Sequence, residues 1–234
     1  MYNPKAGKGR IRRKMDAVEE VFFTAGYTPV PKMLRFGENP FDSLDGEYEL
    51  VVICGGDGTI NYVVNAMKTR GLDYLLAIIP AGTANDFATA VGIPHNPRKA
   101  VRHILQSPIR RLDCGRVNGR YFVNIFSFGL FTTTSQRTFD SHKRLFGRLA
   151  YIVEGVRELC HIRSLPLRID ADGNVIDAEV VMALVFNGRT AGRIALARDA
   201  EFDDGLLDGI FVTRRKALSL LCDLLKFLCG GTPS

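Results

Sequence analysis

The 234 residues are 46% hydrophobic and 24% charged and carry a net charge of +6, which excludes a disordered chain, a collagen-like repeat and a whole-chain coiled coil. Five cysteines without CxxC spacing and four histidines without metal-ligand spacing exclude a disulfide framework and a zinc ribbon. With no run of 18 apolar residues and no apolar stretch behind the N-terminus, the sequence points to a cytoplasmic protein that meets a membrane only from the side.

In chain order, Met15, Val18, Val21 and Phe22 share one helical face, and Gly26 stops that helix. Residues 49–54 (ELVVIC) form a short apolar run closed by Gly55-Gly56, the pattern of a buried parallel strand. Thr59 reads as the N-cap of the next helix, whose apolar residues Ile60, Val63, Val64 and Met67 keep helical spacing. Residues 74–79 are a second strand stopped by Pro80. Residues 84–91 and 98–106 are two further helices. This alternation predicts an open, mostly parallel α/β sheet.

The pattern changes after Ser107-Pro108, where we place a domain boundary. Residues 109–117 and 121–131 read as strands joined at Asn118-Gly119, and 167–171 and 175–186 as strands joined at Asp172-Gly173. A long helix is predicted within 137–161, a strand over 206–213 and a last helix over 217–229. The expected domains are therefore 1–108, α/β, and 109–234, antiparallel β with helical insertions.

Three glycine-rich loops lie at or beside strand-to-helix junctions of the first domain: residues 3–9 (NPKAGKG), 55–59 (GGDGT) and 80–86 (PAGTAND). Glycines let the backbone approach an anion and turn its N–H groups toward it, and a following helix adds the positive end of its dipole. Loops two and three both leave carboxyl ends of predicted strands, so they should be neighbours in the crevice where such sheets bind ligands. Lys5 and Lys8 add charge, and Thr59 and Thr83 add hydroxyls. Asp57 is an acid in an otherwise anion-friendly loop, which fits a Mg²⁺ bridging it to phosphate oxygens.

Each loop also has a plainer reading on its own. Gly-Gly-Asp-Gly is a possible tight turn, residues 3–9 a frayed terminus, and Asn85-Asp86 a helix cap. Neither GxxxxGK[ST] nor GxGxxG occurs, and the protein-kinase motif set is absent.

The stretches YNPKAGKG (2–9), GGDGTINYVVNAM (55–67), PAGTANDFA (80–88), DCGRVNGRYFVNIFSFG (113–129) and NGRTAGRIALARDAEFDDGLLD (187–208) resemble the diacylglycerol kinase catalytic-domain family, especially its small soluble bacterial lipid kinases. The resemblance implies an N-terminal three-layer α/β domain (1–108, nucleotide-binding) of the NAD kinase/diacylglycerol kinase-like type. It also implies a C-terminal antiparallel β-sandwich (109–234, lipid substrate). The implied reaction is ATP- and Mg²⁺-dependent phosphorylation of a lipid hydroxyl, diacylglycerol to phosphatidic acid. By position, the ATP-binding residues would be Asn3, Pro4, Lys5, Ala6, Gly7, Gly55, Gly56, Asp57, Gly58, Thr59, Ile60, Asn61, Gly82, Thr83, Asn85 and Asp86. Asp57 would position the Mg-phosphate. A structural Mg²⁺ would take the Asp204 carboxylate and the carbonyls of Glu201 and Leu206, in a segment that reads from its residues alone as a turn.

The sequence departs from the family pattern at three places. The apolar first strand that precedes the YNP motif is not in these residues, so the neighbouring strand should be left unpaired. Tyr62 stands where the family has Glu. The Asp-Gly-Glu motif that carries the family's acidic base does not occur, so that base is expected beyond Ser234 and the chain is expected to be short at both ends.

The lipid side is a candidate surface of Phe126, Phe128, Leu130 and Phe131 followed by Arg137, Lys143, Arg144, Phe146 and Arg148; the plainer reading is sandwich core and a solvated helix face. Cys222 and Cys229 flank an apolar stretch that reads as a packed helix rather than a lipidated anchor. The expected partner is a lipid at a membrane surface, touched peripherally, with no nucleic acid; exposed strand edges would favour a homodimer. The alternatives are a catalytically impaired nucleotide-binding or regulatory module and, more distantly, an NAD kinase relative.

Overall fold

The computed structural model describes residues 1–6, 11–44, 46–129, 164–191, 194–195, 197 and 200–214. The predicted helices over 137–161 and 217–229, the basic and apolar residues from Leu130 to Arg148, and Cys222 and Cys229 lie outside them. The chain divides into two compact units, Met1–Phe126 with Phe186–Asp208, and Ser127–Val185 with the residues from Gly209 onward.

In the first unit, β1 (Leu50–Gly55) and β2 (Leu75–Pro80) pair in parallel, with Leu50 opposite Leu75 and Gly55 opposite Pro80. Successive strand side chains point to opposite faces, and both faces here are covered. Val51, Ile53 and Ile78 pack with Ile60, Val63, Val64 and Met67 of α2 (Asp57–Thr69) and with Phe87 of α3 (Asp86–Ala90). Cys54 and Ile79 pack on the other face with Ile11, Met15, Val18 and Phe22 of α1 (Ile11–Thr24) and with Ala100 and Val101 of α4 (Pro97–Gln106). The result is the expected three layers.

Met1, Tyr2 and Asn3 do pair in this sheet. Tyr2 bridges Met33 and Cys54 in parallel, the Cys54 N–H donates to the Met1 carbonyl at 2.9 Å, and the Met1 ammonium donates to the Val52 carbonyl at 2.8 Å. The carboxyl end of β1 is therefore covered, whereas the sequence reading left this neighbour unpaired.

Two further expectations change. Gly56, not Thr59, caps α2; the Thr59 and Ile60 N–H groups both donate to the Gly56 carbonyl. The strand expected over 109–117 shrinks to β3 (Gly115–Val117), which pairs with β4 (Arg120–Phe122). Asn118 and Gly119 between them have φ +47° and +79°, which gives the turn that the Asn-Gly pair predicts.

The second unit is built on a sheet ordered β10 (Asp208–Thr213), β7 (Asn174–Phe186), β5 (Ile125–Gly129), with β6 (Leu165–Ala171) pairing antiparallel to β7. Asp172 and Gly173, at φ +53° and +88°, turn β6 into β7. Gly129 is required by close approach: a Cβ there would lie 2.2 Å from the Val181 carbonyl oxygen. In the first unit, a two-residue ladder, β8 (Thr190–Ala191) with β9 (Ile194–Ala195), has no counterpart in the sequence reading.

Candidate active site

Loops two and three and the described part of loop one, residues 3–6, lie in the first unit at the carboxyl ends of β1 and β2. Loop one is tied to loop two by the Asn3 amide, which donates to the Thr59 hydroxyl at 3.2 Å. Asn3 Oδ1 accepts from the Lys5 N–H at 2.9 Å and so shapes its own turn. Of the residues assigned from loop one, Pro4 is partly exposed and Lys5 is exposed, Ala6 is buried in the α1 layer, and Gly7 lies outside the described residues.

Loops two and three touch backbone to backbone. A Cβ on Gly82 would fall 2.5 Å from the Gly56 Cα, and one on Gly56 would fall 2.9 Å from the Gly82 Cα. Only glycine fits at either position. The Gly55 N-terminal to them is constrained by its own loop, since a Cβ there would meet the Thr59 Cβ at 2.4 Å. The Ala81 N–H also donates to the Gly55 carbonyl at 2.8 Å, which carries the strand pairing one residue into the loops.

Asp57 opens α2, but its side chain turns to loop three. Its Oδ2 accepts the Asp86 N–H at 3.2 Å and its Oδ1 the Phe87 N–H at 2.9 Å. Asn85 is left-handed at φ 54°, and its side-chain amide is spent on Gly82, accepting from the N–H at 2.8 Å and donating to the carbonyl at 3.0 Å. Asn85 and Asp86 are buried and Thr83 is exposed.

Asn61 faces the chain leaving the hairpin rather than the loops: its Oδ1 accepts the Val123 N–H at 3.1 Å. Asn65, one turn on, makes two 2.8 Å bonds with Tyr121, accepting from its N–H and donating to its carbonyl. Sequence reading missed Asn65, although the i, i+4 spacing of Asn61 and Asn65 on one helix face marks the pair. Tyr62, in place of a carboxylate, donates its hydroxyl to the carbonyls of Arg35 and Glu38 and packs on Phe36 with ring centroids 4.9 Å apart.

Beneath the loops, burial pushes the Cys54 thiol up to about 11 from 9.0. The Met1 ammonium is pulled below its usual 8.0, chiefly by desolvation.

What remains for a ligand is specific. The Asp57 and Gly58 N–H groups lead α2 with no acceptor inside the helix, because the first turn of any helix leaves its donors free. The positive end of the α2 dipole adds to them. Beside them lies the Gly56–Gly82 contact, and loop one reaches this end of α2 through the Asn3–Thr59 bond. Free N–H groups at a helix start suit a phosphate.

The acidic segment forms a separate turn. The Leu206 N–H donates to Asp204 Oδ1 at 2.9 Å, and the Gly205 N–H to Asp113 Oδ2 at 2.7 Å. Asp203 accepts from Arg110 at 2.6 Å, and that hydrogen bond raises the guanidinium pKa further. Glu201 lies 3.5 Å from Arg189. Among the described residues no three His, Cys, Asp or Glu side chains converge as a metal-binding group.

A parallel α/β unit with glycine loops at its strand ends, followed by a β-rich unit, defines the class: an NAD kinase-like phosphotransferase fold. The chain belongs to the diacylglycerol kinase catalytic-domain family, whose "Diacylglycerol kinase catalytic domain" matches residues 1–117. A second match, "YegS C-terminal NAD kinase beta sandwich-like domain", covers residues 125–232 and identifies the second unit's sheet as part of a β-sandwich. A diacylglycerol kinase of Staphylococcus carnosus is 32% identical over 225 residues, covering 94% of this chain and 74% of that protein. One from Bacillus subtilis is 33% identical over 214 residues, covering 89% and 71%. A crystal structure of a putative diacylglycerol kinase from Bacillus anthracis aligns with a TM-score of 0.75 at 28% identity, over 97% of this chain and 76% of that one. A second, from the same organism, gives 0.72 at 26% identity over 96% and 76%. This is the lipid kinase family that the motifs suggested.

Proposed function

We propose that the chain is an ATP- and Mg²⁺-dependent kinase that phosphorylates diacylglycerol to phosphatidic acid. The observation that carries the reading is the joining of the three loops at the carboxyl ends of β1 and β2, with the leading N–H groups of α2 left for phosphate. Residues 1–108 would bind nucleotide and 109–234 would present lipid. Asn3, Pro4, Lys5, Ala6 and Gly7, the Gly55–Asn61 stretch, Gly82, Thr83, Asn85 and Asp86 would form the ATP site. Some would act on the nucleotide and others, such as Asn61 and Asn85, by holding its walls. Asp57 would position the Mg-phosphate end indirectly, by holding loop three beside it rather than by ligating the metal.

The oxygen chemistry of the acidic turn fits Mg²⁺: the Asp204 carboxylate with the carbonyls of Glu201 and Leu206 are hard donors, and Mg²⁺ keeps water in its remaining positions. Such an ion would neutralise charge and brace the turn. In the transfer, the lipid hydroxyl oxygen bonds to the γ-phosphorus as the bond to the β-bridging oxygen breaks. ADP leaves with that electron pair, and the hydroxyl proton passes to an acidic base. The chain's own part is binding, orientation and electrostatic stabilisation, which dominate phosphoryl transfer. Among the described residues no helix is long and apolar enough to cross a membrane, and we place the contact with lipid at the cytoplasmic membrane face, peripherally, with homodimer formation as a further element of the proposal.

The test is γ-phosphoryl transfer from Mg-ATP to vesicles with and without diacylglycerol, with NAD as a second acceptor. Labelled phosphatidic acid is expected. ATP binding without labelled lipid would support the nucleotide-binding module instead, and labelled NAD the other branch of the fold.

A further inference from the structure

The short helix α3 has no local cap. Asn85 precedes it in a left-handed conformation, and both polar atoms of its amide are committed to Gly82. The first N–H groups of a helix need an acceptor when they are buried, and here Asp86 and Phe87 are both buried. The acceptor comes from another loop: the Asp57 carboxylate, 29 and 30 residues earlier, takes one N–H on each oxygen. The same residue begins α2, so one side chain links the helix that follows β1 to the helix that follows β2.

We propose that Asp57 is a positioning residue: its carboxylate caps α3 across the two loops and so holds loop three, with the exposed Thr83, beside the N–H groups of α2. This deepens the ATP-site reading and rests on it. The carboxylate fills the amino end of α3, so α3 does not receive the phosphates. That task falls to the N–H groups of Asp57 and Gly58. It also explains why an acid sits in a loop that binds an anion: its negative charge is spent on two amide donors and the positive end of a helix. The Gly56–Gly82 contact is the steric counterpart of this bond, since the two loops can close on each other only without side chains.

The experiment compares Asp57→Asn, which keeps the shape and one acceptor, with Asp57→Ala, which keeps neither. On the full chain one would measure hydrogen exchange at the Asp86 and Phe87 amides, Mg-ATP affinity by calorimetry, and kcat and KM on diacylglycerol vesicles over a range of Mg²⁺. Exchange at both amides should quicken in Asp57→Asn and more in Asp57→Ala. Affinity for Mg-ATP should fall roughly tenfold in the Asn variant, as a charged acceptor becomes neutral. The loss should fall on KM more than on kcat, with the Mg²⁺ requirement unmoved. Unchanged exchange at Asp86 and Phe87 would overturn the proposal. So would a fall in kcat alone with a raised Mg²⁺ requirement. Should Asp57→Ala not fold, the near-isosteric Asn variant decides. If the wild-type chain binds Mg-ATP but labels no lipid, the kinase reading fails, while exchange and affinity still decide the role of Asp57.

Discussion

Loop three and the acidic turn at residues 203–206 are both held by carboxylates that accept backbone N–H groups, but over different spans. In the acidic turn, Asp204 bonds Leu206, two residues away, and shapes only the turn itself. Its attachment to the rest of the unit comes from Asp113 and Arg110. In loop three the carboxylate is itself remote, and it is backed by a glycine-to-glycine contact that admits no side chain. A local bond fixes the shape of a loop, whereas a remote one fixes its place. Only the second can set the distance between two groups that, in the proposed ATP site, meet one phosphate chain.

Gly82→Ala should break this contrast most severely. The added Cβ would sit 2.5 Å from the Gly56 Cα, so the loops must part. Overpacking of this kind should weaken Mg-ATP binding by roughly tenfold to a hundredfold in a calorimetric titration. Gly205→Ala in the acidic turn should leave that affinity alone, although its φ of +76° makes the substitution strained there too.

Alkaline pH separates the two regions by another route, because Cys54 lies under the glycine loops. Its folded pKa of about 11 lies above its usual 9.0, so the folded state favours the neutral thiol. The associated stability is complete below pH 9 and is lost as pH rises through 11. It amounts to about 2 to 3 kcal/mol over that window. Denaturant midpoints measured from pH 8 to 11 should fall accordingly, and Cys54→Ala should flatten that part of the fall.

Asp57→Ala removes the acceptor for two buried N–H groups and should lower unfolding stability by about 1 to 2 kcal/mol in urea titrations. Asp204→Ala removes only a two-residue bond in an exposed turn, and its effect without Mg²⁺ should stay within about 0.5 kcal/mol. A large loss there without metal would mean that the turn's own bond, and not its remote anchors, holds it in place.

Much of the first unit was legible because its elements obey simple periods. The buried apolar run of β1, the spacing of Ile60, Val63, Val64 and Met67, and the Asn118-Gly119 turn all follow from local chemistry, as does the Asp172-Gly173 turn of the second unit. The proximity of loops two and three was legible as well, since both leave neighbouring strand ends. What the sequence did not reveal are side chains whose partners are remote. Thr59 looked like a cap because Thr is a good one, but its hydroxyl accepts from Asn3 and the cap is Gly56. Asp57 looked like a residue aimed at phosphate and metal, and no local pattern showed that its oxygens meet α3. Asn61 is placed in the ATP site by the family resemblance, and no local pattern showed that its Oδ1 accepts the Val123 N–H. The Met1–Asn3 pairing was missed for the same reason: three residues are too short a run to read as a strand, and their partners lie around Met33 and Cys54.

The most direct test of the central claim is to follow individual backbone amides while Mg-ATP is added. The N–H resonances of Asp57 and Gly58 should shift and become protected from exchange, with Gly56 and Thr83 moving beside them, while Leu206 and the 118–119 turn stay still. Saturable Mg-ATP binding that moves other amides and leaves Asp57 and Gly58 unperturbed would contradict the account, because the nucleotide would then lie away from the join of the three loops.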